Sequence, residues 1–335
     1  MATTIKDVAK QAGVSVATAS RVLSGAQRVS PELADRVRKA AQDLGYRHNA
    51  LARALRHGRT ATVGMIVPEI ENPFFPSLVE SVERALNQTG RSLLLCDAQR
   101  DPNTERQRAT TLLERQVDGL IVIPVSMKKS AATLAETALR IPVVQVDCYA
   151  EGVSLDWVGI DNELGISLAV EHVVSLGAKR ITLVSAIPDS STAKHRLSGF
   201  ESALARTGVS CCPPPLLGAF SADWGKQAAK RLLEERRLPD AIICGNDEIA
   251  VGLLGEFHRV DVSVPDEVMV TGFDDIRFAA LSNPPLTTVR QPHETIANQA
   301  LSLLDARIED RHIPAQRVAV APRLVIREST RVKHD

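Results

Sequence analysis

Two regimes of hydrophobic patterning divide the chain near residue 59. Before it, apolar positions recur at helical spacing in short segments. In residues 4–23, TIKDVAKQAGVSVATASRVL, Val8, Ala9 and Ala12 form one apolar face and Gly13 supplies a turn. Ala19, Val22 and Leu23 then form a second face. Thr4 with Asp7 three residues on has the form of a capping box, and Ser15 is placed to cap the second helix. Helix, short turn with glycine, helix is the helix-turn-helix pattern, although any two short amphipathic helices share it. Ser30-Pro31 opens a third helix that runs through Leu44 and is closed by Gly45. A further Ala-rich stretch, residues 49–56, follows a capping Asn49.

Beyond Arg59, short apolar runs alternate with helical stretches. Val63–Val67, Ser92–Cys96, Leu120–Ile123 and Val143–Val146 read as strands buried on both faces. Helices are expected at Pro76–Gly90, Thr104–Arg115 and Ser130–Leu139, and Val158–Ile160 closes this half. The same alternation then repeats. Helices are expected at Glu163–Leu176, His195–Arg206, Ser221–Glu235, Ile249–His258 and Ile296–Glu309. Strands are expected at Ile181–Ser185, Leu216–Phe220, Ala241–Cys244, Val268–Thr271 and Gln316–Ile326. Continuous apolar strands alternating with helices imply parallel α/β sheets.

Charge sharpens the division. The 335-residue chain is neutral overall, yet residues 1–60 hold eleven Lys and Arg against four Asp and Glu. A basic head on an acidic body is the electrostatic footprint of a nucleic-acid module joined to something else. The five cysteines contain no C-x-x-C pair, so no zinc or disulfide framework is expected and all five read as reduced. No apolar run approaches the roughly 20 residues that span a membrane, and the N-terminus lacks an apolar export signal. These readings place the chain in the cytoplasm. The dinucleotide fingerprint, the phosphate loop, the nucleophile elbow and the zinc-protease helix are all missing. A non-enzymatic protein without cofactor or metal is expected.

Several segments together carry a family resemblance: IKDVAKQAGVSVATASRVLSG, LGYRHNALARAL, VGMIVPEIENPFF, VDGLIV, IPVVQVD, VGIDNELG, RLSGF, CGNDEIAVG, VTGFDD and LTTVRQP. In this order and spacing they resemble the LacI/GalR family of bacterial transcription regulators across nearly the whole chain. The resemblance implies an all-α helix-turn-helix head (1–47), a hinge helix with linker (48–59) and a periplasmic-binding-protein-like body. That body has two doubly wound parallel-sheet lobes, 60–161 with about 291–320 and 162–290 with about 321–335. The chain would cross between them near Asp161, Gln291 and Ala321-Pro322.

The resemblance implies a homodimeric repressor on palindromic double-stranded operator DNA. Val16 and Ala17 occupy its base-reading positions, where short apolar side chains suit thymine methyls. Arg21 has the fork geometry for guanine or phosphate. Thr4, Ser15, Thr18, Ser20 and Lys6 are candidate phosphate ligands, Lys6 reading equally as a solvated charge. The 49–56 segment is too short to hold a helix alone in water. In the family it folds in the minor groove, with Leu55 as an apolar wedge and Asn49, Ala52 and Arg53 beside it. Packing of Leu51 and Leu55 on the body is the alternative.

An effector site is expected at the carboxyl ends of the strands. Phe74 and Phe75 follow the first strand; Asp97, Ser126 and Asp147 follow the next three, and Asp161 lies at a crossover. Phe220, Asn246 and Asp274 end strands of the second half. Arg196 in RLSGF matches the family's ligand-gripping arginine, and Thr192 keeps one place of the purine branch's base-reading loop. Aromatic walls around an arginine and carboxylates suit a polyhydroxyl ligand, a pentose or hexose. The competing readings are a sugar receptor without DNA function and a purine- or nucleoside-responsive regulator.

Overall fold

A computed structural model describes residues 3–23, 29–46, 59–234 and 238–331. It divides into two units, Met1–Thr60 and Ala61–Asp335.

In the first unit, α1 (Ile5–Ala12), α2 (Val16–Leu23) and α3 (Pro31–Asp43) close on a core of Val8, Ala9, Ala12, Ala19, Val22, Val37 and Ala40. Thr4 donates both its backbone N–H (2.9 Å) and its hydroxyl (2.7 Å) to the Asp7 carboxylate. These bonds hold the Asp7 carboxyl below the usual range, the side-chain bond from Thr4 first. Gly13 ends α1 with φ +63°, a conformation that costs a side chain strain. Arg36 on α3 reaches across to donate to the Ala12 carbonyl at 2.5 Å, so the end of α1 is fastened to the third helix. Ser15 accepts the Thr18 N–H at 3.1 Å and caps α2 as its sequence position implies.

The second unit carries two sheets. In the first, β1 (Thr62–Val67), β2 (Ser92–Asp97), β3 (Gly119–Val122), β4 (Val143–Val146), β5 (Asp156–Ile160) and β12 (Arg317–Val320) lie in the order β12-β5-β4-β3-β1-β2, all parallel. The helices α4 (Phe74–Gln88) and α11 (His293–Glu309) pack together beside it, while α5 (Pro102–Glu114) and α6 (Ala131–Ala138) supply Leu112 and Leu134 to a separate apolar cluster. The second sheet takes β6 (Arg180–Ala186), β7 (Ser210–Cys211), β9 (Ala241–Cys244), β10 (Met269–Asp274), β11 (Thr287–Arg290) and β13 (Arg323–Val325), in the order β13-β11-β10-β9-β6-β7. The short β8 (Leu216–Gly218) also pairs with β6, and β13 alone runs antiparallel. Around this sheet, α7 (Asn162–Ser175) packs on α8 (Ser191–Thr207), and α9 (Ala222–Leu233) on α10 (Asp247–Arg259). The chain passes from one sheet to the other at Asp161, at Gln291-Pro292 and at Ala321-Pro322.

Three sequence expectations change. The strand at residues 92–96 is not buried on both faces: β2 is an edge strand that leaves Leu94 and Leu95 about two-fifths exposed. An apolar run alone does not distinguish an edge from a centre. The single terminal strand expected over 316–326 is two strands in different sheets, split by Pro322, which has no N–H to give a ladder. β11, with only one strongly apolar residue in TTVR, is not anticipated at all.

The α9–α10 contact depends on two glycines. A Cβ on Gly252 would sit 1.9 Å from the Ala222 carbonyl oxygen, and one on Gly225 would sit 2.1 Å from that of Ile249. Backbone meets backbone here, so no side chain can turn aside. Gly252→Ala should therefore lower unfolding stability by about 1–3 kcal/mol or more, measured by urea denaturation, whereas Gly255→Ala, with open space around it, should not.

Candidate functional site

Where the carboxyl ends of the two sheets face one another, a cavity of about 340 Å³ opens between them. Its centre is Arg196, which α8 delivers 3% exposed. The guanidinium donates from Nε to Asn162 Oδ1 (2.8 Å), from Nη1 to the Gly245 carbonyl (2.6 Å) and from Nη2 towards Asp274 Oδ1 (3.4 Å). It lies 3.8 Å above the Phe273 ring and 5.5 Å from that of Phe220. Two aromatic faces and three acceptors hold the planar cation in one orientation.

The carboxylates around it are unusual. Asp274 also accepts from Gln291 Nε2 at 2.8 Å, and burial pushes its carboxyl up to about 7 against the opposing pull of Arg196. Asp147 has φ +60°, and its buried Oδ1 has no hydrogen-bond partner. Burial raises the Asp147 carboxyl as well, with Arg196 opposing. A buried carboxylate oxygen without a donor is costly, and a ligand hydroxyl is the kind of donor that would satisfy it. Both aspartates sit in the left-handed half of backbone space, Asp274 at φ +114°. Such strain is concentrated where a side chain must be aimed.

The walls divide by chemistry. Phe74, Phe75, Phe220, Val125, Cys148 and Ile187 supply apolar surface, and Asp147, Thr192, Arg196, Asn246 and Asp274 supply polar groups. Phe74 packs edge-on against Phe75 and His293, with centroids 5.2 Å apart in each pair. At the outer edge Arg100 pairs with Glu69 and donates to the Phe220 carbonyl at 3.2 Å, tying one lobe to the other. Glu248 across from them is pushed up to about 7, first by burial and then by the Glu69 carboxylate. On the inner side the segment after β4 is fastened to α8. The Cys148 thiol lies 3.4 Å from the Thr192 hydroxyl, and the Tyr149 N–H donates to Ser191 Oγ at 3.0 Å.

Of the residues expected from the sequence to hold a ligand, Phe74, Phe75, Asp147, Thr192, Arg196, Phe220, Asn246 and Asp274 all line this cavity. Ser126, Asp161 and Asp97 do not, and Asp97 accepts the Gln99 N–H at 2.8 Å. Ser126 is tied into a turn, accepting the Lys129 N–H (3.2 Å) and donating its own N–H to Ser130 (3.2 Å). Asp161 caps α7 through Leu164 N (2.9 Å) and faces a different cavity. Asn246, which caps α10, is followed by Asp247, fully buried and accepting from the Thr288 hydroxyl (2.5 Å) and the Ile276 N–H (2.8 Å). Sequence reasoning missed Asn72, Cys148 and Gln291. Gln291 directly follows β11, the unrecognised strand, and its position just past a strand's carboxyl end was the signal available.

On the head, Ser15, Val16, Ala17 and Arg21 are exposed along α2, as are Thr4 and Lys6 on the approach to α1 and its first turn. Thr18 is half-buried. Ser20 is a correction: it is 7% exposed and faces the helical core beside Ala19, not solvent. The inward face is formed by Ala19, Val22 and Leu23, and Ser20 joins it at i−3 from Leu23. Asn49, Ala52, Arg53 and Leu55 lie outside the described residues.

Comparison with known proteins matches this arrangement. Residues 4–49 match the family described as bacterial regulatory proteins, lacI family, and residues 170–330 match the periplasmic binding protein-like domain. The ribose operon repressor of Escherichia coli (strain K12) is 32% identical over 327 residues, 97% of this chain and 99% of the relative. This chain belongs to the lacI family. The transcriptional repressor PurR of Haemophilus influenzae (strain PittEE) is 33% identical over 332 residues, 98% of each chain. Among solved structures, the Lac repressor dimer bound to operator and the anti-inducer ONPF superposes with a TM-score of 0.88 at 26% identity, covering 99% of this chain and 100% of that one. A LacI family regulator from Enterococcus faecium with bound ribose gives 0.71 at 28% identity over 81% and 99%. These relatives are transcriptional regulators, not enzymes. The chain accordingly combines a helix-turn-helix DNA-binding head with an effector-binding α/β body. No helix among the described residues is long and apolar enough to cross a membrane.

The Asp274 carboxyl gives a pH test. Its folded value, about 7, lies above the ordinary 3.8, so its contribution to stability is fully present below the ordinary value and is lost as pH rises towards 7. Asp274→Asn removes that titration. The variant's stability relative to the parent should improve steadily between about pH 4 and pH 7, read from urea midpoints across a pH series; a pH-independent difference would contradict the raised carboxyl.

Proposed function

We propose that this protein is a homodimeric transcriptional repressor that reads a palindromic operator with α2. Its affinity would be set by a neutral monosaccharide, a pentose or hexose, held between its two lobes. The observation that carries the sugar reading is the buried Arg196 set between Asp274 and the unpartnered Asp147 oxygen, with three phenylalanines lining the same cavity. Acceptors and fork donors at one end suit vicinal hydroxyls, and aromatic walls suit the C–H face of a ring. The excess of carboxylates weighs against a phosphorylated or acidic sugar. Supporting this, the ribose operon repressor is among the relatives and a family member was solved with ribose. The PurR relatives favour a purine reading, but the family resemblance implies an arginine in that branch at the position that Ser190 takes here.

For the DNA side, Val16, Ala17 and Arg21 are proposed to face base edges, with Ser15, Thr18 and Lys6 beside phosphates. The hydroxyl of Thr4 is already given to Asp7, so Thr4 contributes through its capped helix end. Residues 48–59 are proposed as the hinge segment, with Leu55 wedging the central step and Asn49, Ala52 and Arg53 in the minor groove. The working parts would then be a head of residues 1–47, that hinge, and lobes of 60–161 with 291–320 and 162–290 with 321–335, the division that sheet membership supports. Effector binding biases the angle between lobes and thereby whether paired hinges can fold on DNA. A regulator of chromosomal operators works in the cytoplasm.

Thermal-shift screening against pentoses, hexoses and nucleosides tests the ligand class, because a ligand of the folded state raises its melting temperature. Arg196→Ala and Phe220→Ala should each abolish the shift for the winning sugar, and Phe220→Ala should leave operator binding in gel-shift intact. Arg21→Ala should do the reverse, weakening operator binding by about 1–3 kcal/mol without touching the thermal shift. Loss of both activities in both Phe220→Ala and Arg21→Ala would overturn the assignment of separate sites.

A further inference from the structure

A second cavity, about 320 Å³, lies around the Asp161 crossover and meets the effector cleft at Asp147. It is nearly as large as the cleft and has room for about ten waters. Tyr149, Trp157 and Arg317 come from the first lobe, and Glu163 and His195 from the second. Trp157 is a fixed wall. Its indole N–H donates to the Asp147 carbonyl at 3.1 Å, and its ring lies over Gly159, where a Cβ would come within 2.5 Å of it. Tyr149 packs edge-on against it, with centroids 5.7 Å apart. The Arg317 guanidinium is stacked 4.0 Å over the Tyr149 ring and 4.9 Å over that of Trp157.

Among the cations of this cavity one is left without a countercharge, the Asp147 side chain being shared with the effector cleft. His195 is hydrogen-bonded to both Glu163 (3.0 Å) and the Tyr149 hydroxyl (2.9 Å), and Asp161 is occupied as the cap of α7. Arg317 has no carboxylate within ion-pairing distance among the described residues. It is an exposed, always-charged fork held flat by two rings. We propose that this cavity is a second ligand site, separate from the effector cleft, that binds a small organic monocarboxylate through Arg317. A bidentate carboxylate matches the fork, and Ile160 and Ala319 line space for a short apolar body. A phosphate would bring a second negative charge against Asp161 and Glu163. A sugar ring would find no free aromatic face, because Arg317 and the Tyr149–Trp157 packing take them.

The site is wired to the effector cleft through three consecutive residues. Asp147 presents its side chain to the cleft and its carbonyl to Trp157; Cys148 contacts Thr192; Tyr149 bonds Ser191 and His195. A ligand that moves Tyr149 or Trp157 therefore moves Asp147, and any effect on effector affinity must be reciprocal.

Intrinsic indole emission of the full-length protein provides the test, since Trp157 is one of only two tryptophans. The protein is titrated at constant ionic strength with acetate, lactate, benzoate, alanine and inorganic phosphate. Saturable quenching or enhancement by the carboxylates and not by phosphate is expected. Arg317→Gln should weaken it about tenfold or more, with Arg317→Lys falling between. Ala319→Phe, which fills the cavity, should abolish it, and Phe220→Ala in the effector cleft should leave it unchanged. Tighter binding of alanine than of lactate, reversed by Glu163→Gln, would place an ammonium beside Glu163 and still support the carboxylate grip. A response that survives Arg317→Gln, that phosphate reproduces equally, that disappears in Phe220→Ala, or that no carboxylate elicits would overturn the proposal.

Discussion

A guanidinium buried where two sheets meet sets the conditions for the rest of the body. Removing a charge from water is affordable only when hydrogen bonds and countercharge replace what water gave. Arg196 finds these in Asn162 at the start of α7, in the carbonyl that follows β9 and in Asp274 at the end of β10. Four secondary-structure elements must therefore converge to within a few ångströms of one point. The positive φ values of Asp147 and Asp274 are the local cost of that convergence. Because the acceptors are fixed before any ligand arrives, a hydroxyl entering the cavity meets donors and acceptors that need little rearrangement.

The same convergence explains why the cleft can report on its contents. Interlobe contacts at its two edges are few and polar: Arg100 to the Phe220 carbonyl outside, Cys148, Tyr149 and Glu151 to α8 inside. Single hydrogen bonds of this kind are worth about 1 kcal/mol net, small enough for a bound ligand to outweigh. The lobes themselves, each with helices packed on parallel strands, are too densely filled to deform continuously. Motion is thus channelled to the junction between them.

Much of this was legible in the sequence, for reasons that particular residues make plain. Buried parallel strands such as AIIC, and VVQV with its single polar residue, announce themselves as largely apolar runs, and the aspartates and asparagines that follow them fall at the carboxyl ends where ligands collect. The head was legible through its caps and its turn glycine. Hidden features were those decided by tertiary neighbours. SLLLCD reads as a central strand until its place in the sheet is known, and TTVR reads as no strand at all. Gln291 was hidden with TTVR. Ser20 could be assigned to the wrong face because an eight-residue helix offers too few turns to fix its phase. Asp161 was placed by the correct rule, at a strand end, yet the crossover directs it to a different cavity.

The interleaved order of strands has a consequence for how the molecule is made. The first sheet begins at residue 62 but is completed by α11 and β12, whose residues 293–320 leave the ribosome only after the intervening residues 162–290 of the second lobe. Until then the face that α11 covers, including the apolar residues of β3 to β5, waits open while the entire second lobe is being synthesised. The nascent chain thus carries an unfinished first lobe throughout synthesis of the second, and that apolar surface lies open to its neighbours until residues 293–320 close it.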